Sequence, residues 1–132
     1  MNMVRAALPL LLLLAGCHSA GVQVVRGWPP LNFSECQKIT DPDSLPDWVK
    51  ERVASFEEDR FLERMVKGQF ADLQFKGVPE FTYAAKCDGQ IWCRFFWATL
   101  NDPIFAGVQV WISFGKSRLE GTKIYMERIP YE

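Results

Sequence analysis

Four cysteines (17, 36, 87 and 93) and a single histidine, His18, make up the most reactive side chains of this 132-residue chain. A Ser or Cys nucleophile needs a base beside it and a third group to orient that base. With His18 as the sole histidine, in an N-terminal segment, a Ser/His/Asp or Cys/His centre is excluded. No C-x-x-C pair occurs, so neither a metal site nor any other cofactor is expected. Gly115-Lys116-Ser117 matches the end of a phosphate-binding loop, but the required upstream glycine falls on Val110 and the flanks read as strand. Glu80, Asp88, Asp102, Glu120 and Glu127 could in principle supply paired carboxylates. All five stand where turns and solvated strand faces normally place acids, so the chain is not expected to be an enzyme.

Aromatic residues carry more information. The chain has five Trp, three Tyr and ten Phe, crowded between Trp92 and Phe114. Alternation along Ile91–Thr99 puts Cys93, Phe95 and Trp97 on one face and Trp92, Arg94 and Phe96 on the other, so both faces are apolar. Trp111 points opposite to Val110 and Ile112. In one reading, one face packs on a helix and the other lies under the N-terminal segment or the 101–107 loop. In the other, Trp92, Arg94, Phe96 and Trp111 form a candidate binding surface, because exposed aromatics with an arginine are common interface anchors.

The elements that must position these residues follow from periodicity. Phe81–Cys87 and Gln90–Leu100 form a hairpin around Asp88-Gly89, a dipeptide that accepts a type I′ turn. Gly107–Phe114 and Lys123–Ile129 supply two more strands, and the alternation of Phe70–Phe75 suggests another. Upstream, Leu45, Val49, Val53 and Phe56 recur at helical spacing behind Pro46, and Ser44 with Asp47 resembles a capping box. Phe61, Leu62, Met65 and Val66 continue slightly out of phase, which predicts a break near residues 57–59 and a stop at Gly68. The expected fold is α+β: an N-terminal helix, or broken helix pair, packed on a four- to five-stranded antiparallel meander sheet. No internal repeat is present.

The N-terminus reads as an export signal. Arg5 precedes a short apolar run, residues 6–14, far below the roughly 20 residues of a spanning helix. Leu14-Ala15-Gly16-Cys17 directly follows and resembles the lipobox of bacterial lipoproteins. That resemblance covers only the first seventeen residues. It implies that the Cys17 thiol is joined to diacylglycerol, that the chain is cut before it, and that the acyl chains hold the protein to a membrane. His18 rather than Asp after the cysteine implies the outer membrane, facing the periplasm. A conventional signal cut after Ser19 would instead release a secreted protein, and in a eukaryote Asn32-Phe33-Ser34 would then be a glycosylation sequon. The resulting plan is a signal peptide at 1–16, a lipid-anchored tether at 17–34, within which Val22–Val25 could instead form a short edge strand, and a single domain at 35–132. Loss of Arg5 leaves fourteen basic against sixteen acidic residues, intermixed along the chain. Nucleic acid, which needs clustered cations, is therefore not an expected partner.

With Cys17 acylated, three cysteines remain in a compartment that permits disulfides. A two-residue turn sets Lys86 opposite Ile91 and Ala84 opposite Cys93, so Cys87 and Cys93 point to opposite faces and cannot readily bond. Cys36 pairs with one of them, or all three stay thiols. Cys36–Cys87 is preferred because it ties the start of the helix to the hairpin tip, leaving Cys93 a buried free thiol. Without acylation, four cysteines allow three pairings that the sequence does not rank. The expectation for function is an exported, lipid-anchored binding or inhibitory module that engages an envelope protein or cell-wall partner with an aromatic sheet face. The alternatives are a structural component of an envelope complex and a secreted, disulfide-containing effector.

Overall fold

The computed structural model describes residues 22–58, 60–115 and 121–132. Alternating side chains build the centre of the sheet from β3 (Glu80–Cys87), β4 (Gln90–Ala98), β5 (Phe105–Ser113) and β6 (Thr122–Pro130). Neighbours in this series run antiparallel. Asp88 and Gly89 both take positive φ, 50° and 80°, as a type I′ turn requires. The register sets Ala84 opposite Cys93 and Lys86 opposite Ile91.

Two short strands complete the sheet and change its class. β1 (Val22–Arg26) runs parallel to β6, and β2 (Gln37–Ile39) runs antiparallel to β3. The order is β1-β6-β5-β4-β3-β2, a six-stranded mixed sheet, with two short α-helices among the described residues. This corrects the expected N-terminal helix on a four- to five-stranded antiparallel meander. The helices follow β1 and β2 rather than leading the fold, because the segment before them supplies both sheet edges. It also moves the edge of the domain: residues 22–34 belong to the folded unit rather than to a tether. Residues 1–21, including the proposed signal peptide, Cys17 and the rest of the tether, lie outside the described residues.

Helix α1 (Asp47–Glu58) starts behind Pro46, whose carbonyl accepts the N–H groups of Val49 (3.0 Å) and Lys50 (3.1 Å). Just before it, Asp41 caps a 3-10 turn at Pro42–Ser44, its carboxylate accepting the Asp43 N–H at 3.0 Å. Arg60 separates α1 from α2 (Phe61–Gln69) by adopting a left-handed conformation, φ 59° and ψ 21°. Few non-glycine residues do so. Its side chain holds the corner, donating from Nε and Nη2 to the two carboxylate oxygens of Glu63, each at 2.9 Å. α2 runs through Gly68 to Gln69. The strand expected at 70–75 does not form. Fully buried Phe70 closes the helix by donating its N–H to the Val66 carbonyl, and Phe75 alone bridges to Thr99.

The core lies between the helices and one sheet face. Val49, Phe56, Leu62, Val66 and Phe70 meet Cys93, Phe95, Trp97, Val108, Val110, Ile112, Ile124 and Met126. Burial of each such side chain contributes roughly 1.5–3 kcal/mol. A second, smaller cluster sits on the other face: Ala85, Cys87, Trp92 and Trp111, with Leu31, Phe33, Cys36, Tyr83 and Tyr125 packed around them. Among the described residues no helix is long and apolar enough to cross a membrane.

Candidate functional site

The face turned away from the helices holds all four residues of the candidate binding surface, but it does not expose them together. Trp92 is 3 % exposed and Trp111 1 %. Residues 28–36 fold back across them, and the Phe33 ring lies 4.8 Å from that of Trp111. This cover is the reason the two tryptophans are not a free surface. One end of the segment leaves β1 at the sheet edge, and the other is bonded through Cys36 to Cys87 at the hairpin tip. Cys93 carries a free thiol, buried on the opposite face.

Arg94 and Phe96 remain half-buried beyond the covered part. The Arg94 guanidinium stands 5.6 Å from the centre of the Tyr83 ring and 5.5 Å from that of Phe96. Its Nε donates to Gln109 Oε1 and its Nη1 to Thr82 Oγ1, both at 3.0 Å. On the other side of Tyr83, Lys38 places Nζ 4.4 Å from the ring centre. Two cations thus flank one tyrosine in a row running across β2, β3, β4 and β5. Among the described residues neither Lys38 nor Arg94 has an acidic partner. Two acids, Glu80 and Glu127, sit at neighbouring register positions, across from Phe96 and Gln109. Glu127 turns one carboxylate oxygen to the backbone N–H of Arg128 at 3.1 Å.

A half-buried guanidinium served only by neutral acceptors retains most of the cost of leaving water. That burial pulls the Arg94 pKa below the ordinary arginine value, with Tyr83 acting in the opposite direction. An anion that bridged Arg94 and Lys38 would restore the missing charge compensation. It would also form the charge-assisted, bidentate hydrogen bonds that a guanidinium favours.

Phe96 is held in place by its neighbour across the strand pair. A Cβ on Gly107 would lie 2.5 Å from Phe96 Cζ and 2.5 Å from the Trp97 carbonyl oxygen, so only glycine lets the ring lie down there. The register that places Tyr83 beside Arg94 follows from the Asp88-Gly89 turn and was legible in the sequence. Lys38 and Phe33 were not. They lie on a three-residue edge strand and a 3-10 turn, neither of which leaves a periodic signal.

A cavity of about 640 Å³ opens on the helix side, walled by Phe56, Leu62, Val78, Pro79 and Phe81. Its polar rim is largely self-compensated, because Glu63 is paired with Arg60 and also with Lys67 at 3.6 Å. The Arg60 hydrogen bond holds the Glu63 carboxyl below the usual range, and burial opposes it. No group of acids and cysteines among the described residues is arranged to hold a metal ion. Compared with protein families, curated proteins and solved structures, the chain matches none.

Proposed function

We propose that this protein is an exported, lipid-anchored envelope module that binds a partner bearing an anionic group, using Lys38, Tyr83, Arg94 and Phe96. The observation that carries the binding role is Arg94: a half-buried cation between two aromatic rings, with neutral hydrogen-bond partners and, among the described residues, no acid paired to it. Export is supported by the apolar N-terminal run and the resemblance of residues 14–17 to a lipobox. The Cys36–Cys87 bond is compatible with an oxidising compartment. Trp92 and Trp111 are covered by residues 28–36, so the accessible part of the aromatic face lies on the β2–β4 side.

Titration of the purified mature domain with glutarate, followed by backbone and side-chain NMR shifts, tests the binding role. Saturable shifts at Arg94 and Lys38, weakened at least about tenfold by Arg94→Gln, are the expected result. Unchanged spectra at millimolar glutarate, with the domain folded, remove the anion site. Intact mass of the protein from the membrane fraction tests the anchor. A diacylglyceryl adduct on Cys17 is expected; an unmodified N-terminus after Ser19 overturns lipidation and returns the secreted alternative.

One observation favours a structural role within an envelope complex. Leu100, Ile104 and Tyr131 are 44 %, 60 % and 55 % exposed, with Ile104 and Tyr131 joined by a backbone hydrogen bond. Stoichiometric co-purification that is lost in Ile104→Asp would support that reading over capture of an anionic ligand.

A further inference from the structure

The segment over Trp92 and Trp111 is attached at its ends and not in between. At one end Gly27, with φ 126°, donates its N–H to the Met126 carbonyl at 2.7 Å. At the other, Cys36 is bonded to Cys87. Between them, the hydrogen bonds among the described residues close inside the segment itself. Leu31 N–H reaches Pro29, Glu35 N–H reaches Asn32, and Cys36 N–H reaches Phe33. The Ser34 N–H and hydroxyl both donate to Asn32 Oδ1. Side-chain packing alone, chiefly Phe33 on Trp111, holds residues 28–35 to the sheet.

Closure of this strap leaves a one-sided deficit. Three buried polar atoms among the described residues have no hydrogen-bond partner: Trp92 Nε1, Trp111 Nε1 and Gln109 Nε2. Native structures seldom leave such groups unpaired. All three are donors, and all three belong to residues on the strap-side face. Trp111 is the register partner of Arg94, Gln109 already accepts from Arg94, and Trp92 is two residues along the same strand. The two indole donors therefore continue the Lys38–Tyr83–Arg94 row beneath the strap, and Gln109 Nε2 lies on the other side of Arg94, across from Phe96.

We propose that the strap is a lid over this continuation, and that the ligand is a short acidic oligosaccharide of the uronic-acid type. The inference rests on the anion-binding reading above. A uronate carboxylate compensates Arg94 and Lys38, and the C–H faces of the sugar lie on the aromatic rings. Ring and hydroxyl oxygens accept from the two indoles and from Gln109, while their own O–H groups rotate toward solvent. A peptide strand fits less well, because it would bring as many N–H donors as acceptors to a face whose unpaired groups are all donors. The lid has an aromatic residue to offer in turn: Trp28 is 54 % exposed and packs edge-on against Phe33, 6.4 Å away.

The test titrates trigalacturonate into the purified mature domain, with maltotriose and glutarate as controls, and reads the indole N–H resonances of Trp92 and Trp111. Trigalacturonate should bind at least about tenfold tighter than glutarate and move both indole signals. Phe33→Ala, which removes the strap's main hold, should raise that affinity several-fold, since a closed lid lowers apparent affinity by the fraction of molecules that are open. Leu31→Ala gives the same reading if Phe33→Ala fails to fold. Trp92→Phe, which keeps a ring and removes the donor, should weaken trigalacturonate but not glutarate. If glutarate binds at Arg94 while trigalacturonate binds no tighter and the indole signals stay still, the lid is wrong and the anion site stands. Maltotriose binding as well as trigalacturonate overturns the acidic-sugar assignment. If no anion binds at all, both readings fall together.

Discussion

Cys93 and the two buried tryptophans show what a single position does in this fold. The Cys93 thiol is enclosed by the core, and burial pushes its pKa from an ordinary value near 9 up to about 12. The neutral thiol is thus favoured in the folded state. Its contribution to stability is fully present below about pH 8.5, where the unfolded thiol is also protonated, and is lost as pH rises from there toward 12. Urea midpoints between pH 8 and 11 should therefore fall more steeply for the wild type than for Cys93→Ala. Iodoacetamide should label Cys93 only in denaturant. The tryptophans behave as core residues despite lying on the face away from the helices. Trp111→Ala and Trp92→Ala should each lower stability by about 3–5 kcal/mol in chemical denaturation. A loss below about 1 kcal/mol would mean that the strap does not enclose them.

Elements meet at two places where the backbone leaves little choice. At the β4–β5 pair, Gly107 lets Phe96 lie across the neighbouring strand, and the crowding there comes partly from the Trp97 backbone, which cannot turn aside. Gly107→Ala should cost about 1–3 kcal/mol and displace Phe96, weakening anion binding at Arg94 as well. A change in stability with unaltered binding would show that Phe96 does not shape the site. At the α1–α2 corner, left-handed Arg60 is held by its bidentate pair with Glu63. Because the Glu63 pKa is lowered on folding, its contribution is present above the unfolded value near pH 4.5 and is lost as pH falls through the folded one. Glu63→Gln should be less stable at pH 7, and the difference from wild type should shrink on acidification. Thermal melts at pH 7 and pH 3 measure both.

Across the whole molecule, the long-range constraint on the strap side is the disulfide. Cys36 and Cys87 are separated by 51 residues, and their bond encloses the strap's far end, β2 and both helices in one loop. Chain-entropy arguments give about 4 kcal/mol for a loop of this length. Dithiothreitol, or Cys36→Ser with Cys87→Ser, should lower stability by roughly that amount. It should also loosen β2, which is only three residues long and carries Lys38. A reduced protein with an unchanged melting temperature would show that packing alone keeps the edge strand in place.

Local chemistry was legible in the sequence wherever one residue type answers one backbone or pattern requirement. Asp88-Gly89 specified the turn, the turn specified the register, and the register put Cys87 and Cys93 on opposite faces. Helical spacing located α1 and α2 and the break between them. Alternation identified the four central strands, but also suggested a strand at 70–75 that tertiary packing replaced with a helix end at Phe70. The sequence alone did not decide which segments complete the sheet. Val22–Val25 read equally as tether or edge strand and Gln37–Ile39 is too short to carry a period; both become strands because β6 and β3 offer unpaired edges. For the same reason, the fate of the aromatic face was a tertiary outcome. Whether Trp92, Arg94, Phe96 and Trp111 face solvent depends on where a segment some sixty to eighty residues away in the chain comes to rest. It rests on the tryptophans, because an edge strand and a disulfide fix its two ends.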